Sequence, residues 1–163
     1  MLLTAGGLVW LVFFPNAPYI ITDFIHLKAR SPLPIWFDAL LILSFASAGL
    51  LSGYYSLYAM QKLVMRQWGK PFGKTQGELA GWIFTLSTLA LTSFGIYLGR
   101  FLRWNSWDLF LDPIRLANDF VARLMNPSIH FRFWIVSGLF LGFLIISYAS
   151  LYSFLRTSLK QRK

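Results

Sequence analysis

The sequence predicts an all-α, polytopic integral membrane protein, and three observations carry that prediction. Of its 163 residues, 56% are hydrophobic and 18% aromatic, while only 13% are charged. A soluble domain carries about 25% charged residues. Three long stretches, 39–60, 79–98 and 133–155, contain no Asp, Glu, Lys, Arg or His. Finally, the 15 basic residues far outnumber the six acidic ones and bunch in two short segments. So few carboxylates cannot coat a water-facing globule, and so many aromatics exclude a disordered chain. The absence of cysteine excludes a disulfide, a thiolate nucleophile and a cysteine-ligated metal.

Each element follows in order. Residues 2–14 are apolar but reach only about 20 Å as a helix, so a short or truncated first membrane helix is expected. No basic segment precedes them, and Phe13, Phe14 and Pro15 are too bulky for a signal cleavage site. An interfacial helix is expected over 17–27, with Asn16 as its N-cap and Pro18 in the first turn, where its missing N–H is no loss. The stretches 39–60, 79–98 and 133–155 each span roughly 30–34 Å, the thickness of a bilayer core. Between the first two, residues 61–78 hold Gly69, Pro71, Gly73 and Gly77 and read as a polar loop. A second interfacial helix is expected over 113–125, capped by Asp112-Pro113 and closed by Asn126-Pro127. Its Leu116, Phe120 and Leu124 form one stripe, and Arg115, Asp119 and Arg123 another. No repeat divides the chain, so residues 1–163 form a single membrane domain.

Charge orients the bundle. Lys62, Arg66, Lys70 and Lys74 lie in residues 61–78, and Arg156, Lys160, Arg162 and Lys163 lie in the tail. The two longer loops hold the other seven basic residues over about twice the length. The positive-inside rule then places 61–78 and the C-terminus in the cytoplasm, with both longer loops on the opposite side.

Those longer loops hold the candidate functional residues. On a helix from Ala17, Tyr19, Thr22, Asp23 and His26 fall along one face. One reading is a wetted interfacial face; the other is a ligand or metal site, since an i, i+3 carboxylate–imidazole pair can hold a cation. Arg100, Arg103, Trp104 and Trp107 also follow helical spacing, so two guanidiniums and two indoles would share a face. Snorkelling arginines and an interfacial tryptophan belt explain them without a ligand. Asn105, Ser106 and Asp108 follow at once, however, and that density suits an anionic headgroup held by Arg forks. His130 reads as an interfacial residue rather than a third ligand.

Several function classes are disfavoured. The chain has no Gly-rich phosphate loop, no HExxH and no GxSxG. The three uncharged stretches offer no proton relay or ion path, which disfavours a monomeric pump. Nucleic-acid binding is not expected, because the basic residues bunch where membrane topology puts them.

Two strings carry a family resemblance. Phe14-Pro15-Asn16-Ala17-Pro18-Tyr19-Ile20-Ile21-Thr22-Asp23, continued by His26-Leu27, is the first. Gly95-Ile96-Tyr97-Leu98-Gly99-Arg100-Phe101-Leu102-Arg103-Trp104-Asn105-Ser106-Trp107-Asp108 is the second. With them the whole chain resembles a family of bacterial membrane proteins known as domain of unknown function 1361. The resemblance implies a multi-pass protein of the bacterial inner membrane, and it brings no reaction, cofactor or substrate. It also marks the two polar loops as the family's signature.

Two functions follow as expectations. The first is a non-catalytic subunit or assembly factor whose non-cytoplasmic polar site binds lipid headgroups through Asn16, Tyr19, Arg100, Arg103, Trp104, Asn105 and Trp107. Its partners would be membrane lipids and other membrane subunits. The alternative is a membrane-interface enzyme using Asp23, His26 and Asp108, with a metal held by Asp23 and His26, on a lipid-linked or phosphorylated substrate. Either way the two loops should meet, with Asp23 pairing with Arg100 or Arg103, because unsatisfied polar groups in a partly dry interface are costly.

Overall fold

A computed structural model describes residues 2–28 and 34–161, with side chains over 6–28 and 34–157. Every regular element among the described residues is helical. Four helical stretches are long and apolar enough to cross a membrane: Gly6–His26, Ile35–Phe72, Lys74–Leu102 and Phe131–Thr157. The chain is a multi-pass, all-α membrane protein. Arg30, Arg162 and Lys163 lie outside the described residues, as does the Lys160 side chain.

The first crossing differs from the expected short span followed by a separate interfacial helix. Helix α1 (Leu2–Phe13) runs almost directly into α2 (Asn16–Tyr19) and then into a 3-10 helix, Ile20–His26. The Ala17 N–H donates to the Phe14 carbonyl at 3.1 Å and the Tyr19 N–H to Pro15 at 3.1 Å. Pro15 itself has helical dihedrals, φ −58° and ψ −22°. Asn16 is therefore no N-cap: the chain never leaves helical space, so no orphan N–H group waits for its side chain. The two prolines break the hydrogen-bond ladder into pieces without turning the chain.

The expected polar loop over 61–78 is also helical. Helix α3 (Ile35–Phe72) and α4 (Lys74–Leu102) meet at Gly73 alone. Lys, Gln, Met and Arg are good helix formers, and their charge does not stop a helix once it leaves the bilayer. Pro71 falls in the last turn of α3, and Gly73 makes the break with φ +94° and ψ 162°, a region essentially reserved for glycine. Close beneath it, a Cβ on Gly77 would lie 2.8 Å from the Gly69 Cα, so small residues let the two helices close tightly. Trp36 and Trp68 are both exposed near opposite ends of α3. At 1.5 Å per residue they stand about 48 Å apart, close to the thickness of a whole bilayer with its headgroups.

Helix α4 is the centre of the bundle, packed between α3 and α7 (Phe131–Gln161). Thr85 and Thr92 lie buried on α4 and return their hydroxyls to the Gly81 and Thr88 carbonyls at 2.9 and 2.8 Å. In this way polar side chains cross an apolar layer satisfied. Phe14, Tyr54, Leu57, Leu89, Ile96, Leu144 and Tyr148 form the buried core. The Tyr148 hydroxyl donates to Gln61 Oε1 at 2.7 Å, joining α7 to α3. At the other end, α2 sits on a small-residue seat in α3: a Cβ on Gly53 would lie 2.9 Å from the Ala17 Cβ, and one on Gly49 2.9 Å from the Ala17 carbonyl oxygen.

After α4 come the short α5 (Asp108–Leu111) and α6 (Pro113–Met125). The Asp112 side chain accepts from the Arg115 N–H at 3.3 Å with Pro113 in the first turn, the expected cap. Ile114, Val121 and Met125 are exposed on α6, as suits a helix lying in the membrane interface.

Candidate functional site

The 3-10 geometry of Ile20–His26 stacks Asp23 and His26 three residues apart with Thr22 on the adjacent face, and the last turn of α4 brings Arg100 against them. Arg100 reaches all three. Its Nε donates to Thr22 Oγ1 at 2.9 Å, one terminal nitrogen to Asp23 Oδ1 at 2.6 Å, and the other lies 2.8 Å from His26 Nε2. Its guanidinium carbon stands 5.1 Å from the Tyr19 ring centre, within cation–π range. Thr22 in turn donates its hydroxyl proton to the Tyr19 carbonyl at 2.7 Å, which leaves its lone pairs facing Arg100. The expected meeting of the two strings therefore takes place, and Arg100 rather than Arg103 is the partner.

The exposure is uneven. The Arg100 side chain is 13% exposed and that of Asp23 45%. A mostly dry guanidinium is thus matched by a carboxylate that water still reaches.

This arrangement bears on the candidate chemistry. Arginine has no acceptor, so in the His26 contact Nε2 accepts and the ring proton of a neutral imidazole sits on Nδ1. The lone pair that a general base or metal ligand would use is engaged. Asp23 and His26 also share a fixed cation already, whose charge opposes a metal ion between them. Among the described residues no group of three or more His, Cys, Asp or Glu side chains stands close enough to hold a metal. His130 lies at the turn before α7, where its carbonyl accepts from the Phe133 N–H at 2.9 Å.

The second string does not continue as a helix, so its arginines and tryptophans do not share one face. Arg103 adopts a left-handed conformation, φ 60° and ψ 29°, and ends α4. The Trp104 N–H then points back to the Leu98 carbonyl at 3.3 Å. From there the side chains diverge. Arg103 is exposed, while Trp107 packs edge-on against Phe13 at 5.4 Å. The Trp104 indole donates to Asp119 Oδ2 at 3.1 Å, with Arg115 over its ring at 5.6 Å. Asp108 accepts the Asn105 N–H at 2.6 Å and so closes its own loop rather than joining Asp23.

Turning back, this loop borders a half-open cavity of about 450 Å³. Its walls come from the end of α1 (Leu11, Val12), from Pro15, Asn16 and Tyr19, and from one face of α4, where Leu91, Gly95 and Gly99 recur. Trp104, Asn105 and Ser106 form another wall, and Leu116 and Phe120 of α6 cover it. Ser106 donates to the Val12 carbonyl at 3.3 Å and Phe120 packs on Phe94 at 5.5 Å, fastening loop and cover. Gly99 allows the approach of Tyr19, which a Cβ there would meet at 3.1 Å. Of the expected ligand-binding residues, Asn16, Tyr19, Trp104 and Asn105 line this space, whereas Arg100, Arg103 and Trp107 do not.

Sequence reasoning missed the apolar lining and the cover formed by α6. The Gly95–Gly99 pair beside a polar string was the available signal, since small residues one turn apart admit a close neighbour.

A family model described as Protein of unknown function (DUF1361) matches residues 1–156. No curated protein and no solved structure matches the chain.

Proposed function

We propose that this chain, which belongs to the DUF1361 family of proteins of unknown function, is a non-catalytic membrane subunit or assembly factor that holds a lipid in the cavity between its two signature strings. One observation carries the reading. Asp23 and His26, which looked most catalytic, close on Arg100, and beside them lies a mostly apolar cavity of about 450 Å³. Cavities of roughly 300–1,000 Å³ with a few convergent polar groups are the usual form of a small-molecule site.

The bilayer supplies the ligand. The apolar side chains Leu11, Leu91 and Phe94 lie on membrane-crossing helices, and Asn16, Asn105 and Ser106 lie at the loop end. The basic residues of 61–78 sit at the opposite end of α4, so the positive-inside rule puts the cavity on the non-cytoplasmic side of a bacterial inner membrane, with the C-terminus cytoplasmic. The membrane-interface enzyme is the weaker reading, because Asp23 and His26 share their one cation with each other rather than with a substrate.

Native mass spectrometry of gently extracted protein tests the proposal. A retained lipid adduct is expected, and it should vanish when Leu91→Phe and Leu116→Phe narrow the cavity. Wild-type protein released free of lipid under conditions that keep it folded would contradict it.

A further inference from the structure

The cavity's charge pattern restricts the kind of head group it accepts; this inference rests on the lipid-holding reading above. None of the lining side chains carries a formal charge. The Arg100 guanidinium lies over Tyr19 but turns three of its five donors to Thr22, Asp23 and His26. Arg115 covers the Trp104 ring and is itself exposed to water, which screens it. On the loop side, the Trp104 indole and the Asn105 N–H donate to the carboxylates of Asp119 and Asp108, while Ser106 donates to the Val12 carbonyl. A phosphate placed there would meet no lining cation.

The remaining polar groups are of one kind. Asn16 and Asn105 carry amides that both donate and accept, and Ser106, its proton given to the Val12 carbonyl, still accepts; such groups suit a neutral partner that donates and accepts in turn. Along α4, Leu91 to Gly99 covers about 12 Å of wall for an apolar chain. The geometry points to an uncharged lipid ending in a hydroxyl or carbonyl as the occupant, its chain against Leu91, Phe94 and Phe120 and its head at Asn16, Asn105 and Ser106. A diacylglycerol and a polyprenol alcohol share this chemistry. Anionic phospholipids do not.

Trp104 gives a direct readout because it lines the cavity. The full chain is reconstituted in phosphatidylcholine vesicles with chain-brominated diacylglycerol, brominated polyprenol or brominated phosphatidylglycerol. Quenching of Trp104 is taken as the difference between wild type and Trp104→Phe. One neutral lipid should quench at a mole fraction about tenfold lower than phosphatidylglycerol, the worth of one or two net hydrogen bonds. Which of the two does so identifies the source. Asn105→Leu should erase the preference. Should Trp104→Phe not fold, displacement of a photoreactive diacylglycerol from wild type reads the same ranking. Equal or stronger quenching by phosphatidylglycerol overturns the neutral-head inference and leaves the lipid-holding reading standing. Failure of every lipid to reach Trp104 removes both.

Discussion

Arg100 and Asp23 are 77 positions apart in the chain and 2.6 Å apart in space. Their contact pins the end of the first membrane crossing to the end of the third helical run, and it fixes one side of the neighbouring cavity through Tyr19. Arg100 is able to do this because a guanidinium offers donors in a rigid fork, here distributed over a hydroxyl, a carboxylate and an imidazole.

Replacement of Arg100 should follow that geometry. Arg100→Ala removes three hydrogen bonds and the contact with the Tyr19 ring but leaves Asp23 open to water, and a loss of about 1.5–3 kcal/mol is expected. Arg100→Lys keeps the charge but not the fork, so its loss should be intermediate. Thermal unfolding of the purified protein in detergent checks the order wild type, Lys, Ala. Equal stability of the Lys and wild-type proteins would deny the fork its role.

Glycine substitutions should divide by position. Gly53→Ala places a Cβ 2.9 Å from the Ala17 Cβ and should cost about 1–3 kcal/mol by overpacking the seat of α2. Gly138→Ala meets nothing within 4 Å and should be neutral or stabilise α7 by about 0.5–1 kcal/mol. The same melting assay compares them, and similar losses at both sites would contradict the close seat of α2 on α3.

Topology is open to a clean labelling test, since the chain has no native cysteine. A cysteine at Lys70 should resist an impermeant thiol reagent in intact cells, and one at Asn118 should react. The reverse pattern would place the cavity in the cytoplasm and remove the basis for the proposed orientation.

The sequence showed some of this site and hid the rest for identifiable reasons. Tyr19, Thr22, Asp23 and His26 fall on one face by spacing alone, and opposite charge singles out an arginine as their partner. The turn at Arg103 was hidden, because a non-glycine residue in the left-handed region is uncommon and nothing local announces it. Helical spacing was therefore projected through Trp104 and Trp107 when the helix had already ended. The helical character of 61–78 was hidden by its glycines and proline, of which only Gly73 breaks the chain. The cavity was hidden by its own lining: in a membrane helix, Leu91 reads the same whether it faces lipid tails alone or borders an open cavity.

The most direct test of the account is the amount of folded, monodisperse protein extracted from membranes for wild type, Asp23→Ala and His26→Ala, read beside the cellular phenotype. With Asp23 gone, the mostly buried Arg100 loses a charged acceptor, worth about 1.5–3 kcal/mol, while Thr22 and His26 remain. Asp23→Ala should therefore be clearly depleted and His26→Ala less so, with function falling in step with abundance. Normal abundance and assembly of both variants, combined with the phenotype of a deletion, would contradict the structural role and make Asp23 and His26 the working groups of an enzyme.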